Sequence, residues 1–329
     1  MRIALVFFIV LVFYSPAIAD ERLIWIDADP ACAMESVDDV DDCWAIISAL
    51  RSPNVRVVGI STVFGNTDVE HTTAIAHTLL QSIRQHEPGH DLPSISQGAS
   101  RRFSKQMQTP PAVWSLADAL VDQRLTILAL GPMTNIAILL RDFPNLVSRI
   151  DSIVAVAGQR PGQLFHVGNT SVLHLHDLNV RKDPDAFDLV LRTGIPLHLI
   201  PFEVAQQVIV TKTDLRTLED LGSLDAWIAS RSVPWLKFWE EVLGARGFYP
   251  FDALAVAYLL HPDQFTCQTI PAKLVRRHGL FVTRDTLEVS SSIESQEVVR
   301  YCSDVSMVIR ESPITLLAPE SIASNNSNK

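Results

Sequence analysis

Six aspartates crowd into the segment 27–42: Asp27, Asp29, Asp38, Asp39, Asp41 and Asp42. Asp27-Ala28-Asp29-Pro30 follows directly on the apolar run Leu23-Ile24-Trp25-Ile26. Asp38-Asp39-Val40-Asp41-Asp42 comes just before Cys43-Trp44-Ala45-Ile46-Ile47. A strand that ends in Asp-x-Asp and a helix that opens on Asp-Asp would bring these carboxylates together. Like charges so close raise one another's pKa unless a proton or a cation sits among them. Oxygen ligands in this number suit calcium or magnesium rather than zinc. Taken alone, the pattern also admits a plain acidic helix cap, because aspartate is favoured at helix N-termini.

The elements that must position these acids are legible as alternating apolar patterns. Strand-like runs cover residues 23–26, 55–63, 125–130, 153–157, 196–200 and 280–283. Helix-like stretches cover 42–50, 70–83, 134–141, 183–191, 224–243 (with a break expected at Pro234) and 252–260. Unbroken apolar strands alternating with helices predict an α/β fold. The expected form is a single domain with a mostly parallel, Rossmann-like central sheet and helices on both faces. Residues 86–108 read as a polar, mobile surface loop. In such sheets ligands bind beyond the carboxyl ends of the strands. Polar residues fall at those ends: Gly65-Asn66, Gly131-Pro132-Met133-Thr134-Asn135, and Gly158 with the loop to Asn169 and Asp177-Leu178-Asn179. Each asparagine alone suits a turn, but Asn66, Asn169, Asp177 and Asn179 are expected to converge on the acidic loop.

In this order the motifs resemble the nucleoside hydrolases, the inosine–uridine-preferring N-ribohydrolases, over about residues 23–263. Asp27-Ala28-Asp29-Pro30 with Asp41-Asp42 resembles the opening motif, widened by about eight residues. Gly65-Asn66 and Gly131-Pro132-Met133-Thr134-Asn135 are similar to the second and third. Asp177-Leu178-Asn179 followed by Asp183-Pro184-Asp185-Ala186, and Asp252-Ala253-Leu254-Ala255-Val256-Ala257-Tyr258, resemble the fourth and fifth. The resemblance implies calcium-dependent hydrolysis of the N-glycosidic bond of ribonucleosides to free base and ribose. By position, Ca²⁺ would be held by Asp29, Asp42, the carbonyl of Leu130 and Asp252. The metal would activate a water whose proton Asp29 accepts as general base. Asp41, Asn66, Asn169, Asp177 and Asn179 would hold the ribose, whose oxocarbenium-like charge their oxygens would stabilise. A homo-oligomer, dimer or tetramer, is the assembly expected.

The departures bear on substrate. Asp177 stands where the family usually has Glu, one methylene longer, which puts contact with the 5′-hydroxyl in question. Asn169 lies two residues further from Asn179 than its counterpart does. Within the widened loop, Asp41-Asp42 is taken as the functional pair because the helix follows it immediately; Asp38 and Asp39 are expected to be solvated. Phe251 stands where many members place a His that protonates the leaving base. Phe transfers no proton, but could stack on a purine together with Tyr249 or Phe248, so purine nucleosides are weakly favoured. His166, His174 and His176 are the other candidates for the acid.

Two other readings compete. One is a non-catalytic exported nucleoside- or sugar-binding protein on the same scaffold. The other is a magnesium-dependent phosphatase of haloacid-dehalogenase type, with Asp27 as nucleophile; Ala31 and Cys32 fit its motif poorly. Residues 1–19 have the charged start, apolar stretch and Ala17-Ile18-Ala19 of a secretory signal, so the chain is expected to be exported, periplasmic or secreted. The domain then covers 20–320, and 321–329 form a polar tail expected to be disordered. The full chain carries 27 Lys and Arg against 37 Asp and Glu, a formal charge of −10. That balance argues against nucleic acid and anionic membranes as partners and leaves a small nucleoside. The four cysteines allow three pairings. Cys32–Cys43 with Cys267–Cys302 is favoured because the first would brace the acidic loop; free buried thiols are the alternative.

Overall fold

A computed structural model describes residues 21–32, 39–168, 174–175, 177–278 and 283–318. The strands are Arg22–Ala28 (β1), Val55–Thr62 (β2), Ser94–Gln97 (β3), Leu125–Ala129 (β4), Ile150–Ala155 (β5), Phe165–His166 (β6) and His174–Leu175 (β7). Leu197–Leu199 (β8), Phe265–His278 (β9), Thr283–Val289 (β10) and Val298–Val305 (β11) complete them. The helices are Asp41–Arg51 (α1), Val69–His86 (α2), Pro111–Asp122 (α3), Thr134–Asp142 (α4), Leu178–Lys182 (α5) and Pro184–Leu191 (α6). They continue as Phe202–Ala205 (α7), Lys212–Glu219 (α8), Ser223–Lys237 (α9), Phe251–Leu260 (α10) and Met307–Glu311 (α11).

Nine strands form one sheet in the order β10-β9-β11-β8-β5-β4-β1-β2-β3, while β6 and β7 pair as a separate ribbon. From β11 to β3 every pairing is parallel; β9 pairs antiparallel with β10 and β11. The strand period of two sends Ile24 and Ile26 of β1 into one core and Trp25 into the other. The first core takes α1, α8, α9 and α10; the second takes α3, α4 and α6. A parallel sheet covered on both faces explains why its strands read as continuous apolar runs. The middle of the sheet, β5-β4-β1-β2, points its C-terminal ends at the acidic loop.

Two expectations change. Residues 86–108 are not a free loop. They contain β3, and the turn after it is tied down by Asn135 and Asp183: the Ala99 N–H donates to Asn135 Oδ1 at 2.8 Å, and the Phe103 N–H to Asp183 Oδ2 at 2.7 Å. Pro234 does not interrupt its helix. Leu224, Ile228, Ala229, Ser232 and Leu236 bury one face of α9, and that packing outweighs the single backbone bond a proline forfeits. The irregularity comes just after, as a π-helical turn over Phe238–Val242. Of the strand expected at 280–283, only Thr283 lies within the described residues, as the start of β10. Both favoured disulfides are present, Cys32–Cys43 and Cys267–Cys302. Among the described residues no helix is long and apolar enough to cross a membrane. Residues 1–19 and 321–329 lie outside the described residues.

Candidate active site

The acid site is assembled from three elements and two loops. β1 delivers Asp27 and, one step beyond its end, Asp29; α1 opens on Asp41 and Asp42; α10 carries Asp252 in its first turn. The loop after β4 adds the carbonyl of Leu130, and the loop after β2 adds Asn66. Asp29 Oδ2 accepts the Asn66 N–H at 2.6 Å, and the Asp29 N–H donates to Asp42 Oδ1 at 3.1 Å. Asn66 Nδ2 spans the Asp29 carbonyl and Asp42 Oδ2, each at 3.3 Å. Asp41 Oδ2 accepts the Phe251 N–H at 3.0 Å, which ties α1 to the start of α10. Acidic first turns suit the positive end of the helix dipole.

Asp29, Asp41, Asp42 and Asp252 are all buried. Burial first, and neighbouring aspartates second, push the Asp29 and Asp41 carboxyls well above the usual carboxylate range, and the same order holds for Asp252. Asp42 is raised to about 7 for the same reasons, although hydrogen bonds from Asp29, Asp252 and Asn66 oppose the rise. Among the described residues no Lys, Arg or His offsets these four charges, and Asp41 Oδ1 is buried without a hydrogen-bond partner. An all-oxygen set with charge in excess and an orphaned oxygen has the chemistry a hard divalent cation requires. Among the described residues no group of three or more His, Cys, Asp or Glu is spaced so that it could hold a metal ion as it stands, so the fit rests on donor chemistry and charge.

Around the acids opens a cavity of about 330 Å³, within the range of small-molecule sites. Its polar side is Asp29, Asp39, Asp41, Asn66, Leu130, Asp177, Asn179 and Asp252; its apolar wall is Phe165, Phe202, Trp235, Phe238, Trp239 and Phe251. Of the residues singled out in the sequence, Asp29, Asp41, Asn66, Leu130, Asp177, Asn179, Phe251 and Asp252 therefore share one cavity. Asp42 lies buried directly behind it. Asn169 and His176 lie outside the described residues, as does the side chain of His174, and His166 is exposed on β6. Asn179 Nδ2 donates to the carbonyls of Leu130 at 2.6 Å and Val156 at 3.1 Å. Asp177 caps α5 through Val180 N–H and accepts Gly158 N–H at 2.7 Å; burial raises its pKa to about 6. Both its oxygens are thus engaged by backbone.

Asp39 does not behave as a solvated bystander. It is half-buried in the cavity wall, and its Oδ1 accepts the Asp41 N–H at 3.0 Å. Asp27 is fully buried and held by Ser61 and by Asn135 Nδ2, at 2.7 Å for the latter. A nucleophile for phosphoryl transfer would need access that Asp27 lacks. Sequence reasoning missed the wall formed by Phe165, Phe202, Trp235, Phe238 and Trp239. The one available signal was three aromatics within residues 235–239, at helical spacing, in a stretch that a core helix would equally explain.

Residues 24–306 match the family model for the inosine-uridine preferring nucleoside hydrolases. The chain belongs to this family. It is therefore a hydrolase acting on N-glycosyl bonds of ribonucleosides. It is 26% identical over 269 residues to a probable uridine nucleosidase of Oryza sativa subsp. japonica, covering 75% of this chain and 78% of that one. It is 28% identical over 263 residues to the non-specific ribonucleoside hydrolase RihC of Escherichia coli, covering 74% and 80%. A solved plant nucleoside hydrolase superposes with a TM-score of 0.74 at 21% identity, covering 92% of this chain and 99% of that one. A purine-preferring ribonucleoside hydrolase from Gardnerella vaginalis does so at 0.72 and 23%, with the same coverage. At those identities the superpositions establish the fold.

Proposed function

We propose that this member of the family is a calcium-dependent ribonucleoside hydrolase with a slight preference for purine nucleosides, acting after export. The observation that carries the reading is a cluster of four buried carboxylates, of which Asp29, Asp41 and Asp252 face an aromatic wall across one cavity and Asp42 lies behind them. In this reading Asp29, Asp42, Asp252 and the Leu130 carbonyl hold the ion. When bound, calcium supplies Lewis acidity toward water and the ribose hydroxyls.

The remaining chemistry belongs to the side chains. Asp29 takes a proton from the attacking water while the water oxygen bonds to C1′. The electron pair of the breaking N-glycosidic bond goes to the base. Asn66 holds Asp29 through its N–H, so the base enters the reaction already oriented. Positive charge that develops on the ribose faces Asp41, Asp177 and the Asn66 and Asn179 amides; a preorganised oxygen-rich surface stabilises it without solvent rearrangement. Asn169 joins that set by sequence position. Phe251, against Phe202 at a centroid distance of 6.0 Å and Trp239 at 6.5 Å, offers the base an apolar face. That wall supports the purine preference. The relatives' names point several ways: uridine for the rice protein, non-specific for the E. coli one, purine-preferring for that of Gardnerella.

The test is release of free ribose from inosine, adenosine, uridine and p-nitrophenyl riboside by wild type and by Asp29→Asn. Wild type should release ribose, and Asp29→Asn should lose about 10³-fold or more in kcat while keeping its fold. Wild-type rates in the variant would sink the assignment of the base.

A further inference from the structure

A ring of three polar side chains closes beside the cavity, outside the residues assigned to it above. Arg160, in the loop after β5, brings its Nε to both oxygens of Glu203 on α7, at 2.9 and 3.2 Å. Tyr301 of β11 donates its hydroxyl to Glu203 Oε2 at 2.8 Å. The Arg160 guanidinium lies over the Tyr301 ring, 5.3 Å from its centroid, and this cation–π contact closes the ring. Tyr301 is fully buried. Burial, with the Glu203 carboxylate beside it, pushes the phenol far up, so it stays a donor. Three segments distant in sequence thus meet at one carboxylate.

Two arms of the ring continue into the cavity. Phe202, next to Glu203, belongs to the aromatic wall. Gly158, two residues before Arg160, lines the cavity and donates its N–H to Asp177 Oδ2 at 2.7 Å. Gly158 has a φ of +93°, and a Cβ there would lie 2.9 Å from Leu199 and 3.7 Å from the Tyr301 ring. The loop therefore passes directly over Tyr301. Farther along it, Phe165 stacks on Phe202 at 4.3 Å and 8°. On its other side the loop is stitched to β10: the Gln159 N–H donates to the Leu287 carbonyl and the Gln159 carbonyl accepts the Val289 N–H, each at 2.9 Å. The sheet fixes the start of the loop; Arg160 and Phe165 join it to α7.

We propose that Arg160, Glu203 and Tyr301 are positioning residues, a latch that holds the loop after β5 against α7 and keeps Asp177 and the Phe165–Phe202 stack in the arrangement that binds the nucleoside. This rests on the hydrolase reading above and adds to it three residues that do not line the cavity. A partly exposed ion pair contributes little to overall stability, and the side chains of Arg160 and Glu203 are 39% and 21% exposed. What the pair sets is the fraction of molecules with both sides of the cavity in register. Apparent ligand affinity scales with that fraction, whereas the complex, once formed, reacts at the same rate. Loss of the latch therefore raises KM and leaves kcat in place, the signature of lost uniform binding.

The experiment measures kcat and KM on inosine for wild type, Arg160→Met, Glu203→Gln and the double variant, with Arg160→Lys as the conservative replacement. Arg124→Gln is the control; it breaks the exposed Arg124–Asp151 pair at the opposite end of the sheet. Each single latch variant should raise KM about tenfold, the equivalent of about one net hydrogen bond, and keep kcat within about twofold of wild type. The double variant should be no worse than either single, because both break the same contact. Arg160→Lys should recover part of the affinity, and Arg124→Gln should leave KM unchanged. The rise in Tm that ribose produces in calcium-containing buffer reads the same affinity without turnover, and it should shrink in the latch variants. Arg160 is the more exposed partner, so its variant carries the test if Glu203→Gln fails to fold. Wild-type KM and ribose shift in the latch variants, a fall in kcat in place of the rise in KM, or an equal rise in Arg124→Gln overturns the inference and leaves the hydrolase reading intact. A wild type that hydrolyses no riboside overturns the hydrolase reading, and the ribose shift then decides the latch.

Discussion

Asp29 fits only because two glycines let it. A Cβ on Gly65 would come within 1.8 Å of its Oδ2, and one on Gly131 within 2.5 Å of its Oδ1. Both glycines serve close approach of backbone to the carboxylate. Gly65→Ala should therefore displace the carboxylate while the sheet survives. A shift of about 1 Å in a catalytic group costs about 10²-fold, so kcat on inosine should fall by that much with an unchanged circular dichroism spectrum. Near wild-type kcat would show that the carboxylate need not sit where these glycines hold it. Asp27, the other aspartate of the motif, supports rather than reacts: its bonds to Asn135 and Ser61 lock β1 to α4 and β2. Burial holds its pKa near 6, above the ordinary value of 3.8.

At the scale of elements, the acidic motif is split between a strand end and a helix start, and Cys32–Cys43 joins the two halves across a separation of 11 residues. Cys32 lies three residues beyond Asp29, and Cys43 immediately follows Asp42. Closing a loop of that length stabilises the fold by about 3 kcal/mol on chain entropy. Replacing both cysteines by Ala should lower Tm by several degrees and reduce kcat/KM, because Asp29 and Asp42 lose their common tether. Thermal melts and inosine turnover, with the oxidised wild type as reference, check both. An unchanged kcat/KM in a destabilised variant would confine the disulfide to stability. Thr134 and Asp183 do similar work between elements: Asp183 caps α6 and accepts from Thr134 and from the Phe103 N–H.

For the whole molecule, the uncompensated acids make stability depend on pH and metal together. A carboxylate whose pKa is raised by folding binds its proton more tightly in the native state. The native state then gains nothing from pH, and loses stability as pH rises from the unfolded value toward the folded one. For Asp27 that window runs from 3.8 to about 6, with a slope of at most about 1.4 kcal/mol per pH unit. In chelated protein, Asp27→Asn should flatten the fall in Tm between pH 4 and 6 relative to wild type; parallel curves would refute the burial penalty. A divalent cation bound among these carboxylates would stabilise only the native arrangement, so chelation at pH 7.5 should lower Tm and abolish turnover, and added calcium should restore both. If exhaustive chelation alters neither, the calcium assignment fails.

Chain-local information was enough for a good deal of this. Alternating apolar runs set the parallel sheet, because a strand covered on both faces must be apolar throughout. Asp29, Asp41, Asp42, Asn66, Asn179 and Asp252 were legible because each stands where a strand ends or a helix begins, and those junctions have sequence signatures. What the sequence could not decide was anything settled by packing between distant segments. Asp39 looked like solvated loop until Asp41 N–H and the cavity wall claimed it. Residues 86–108 looked mobile until β2, Asn135 and Asp183 fixed them. The aromatic wall drew Phe165, Phe202, Trp235, Phe238, Trp239 and Phe251 from five places in the fold, and an aromatic on a helix reads as core wherever it points. Local spacing determined which residues are the candidates for the chemistry. Tertiary structure decided what stands opposite them, because a cavity is defined by partners that share no stretch of chain.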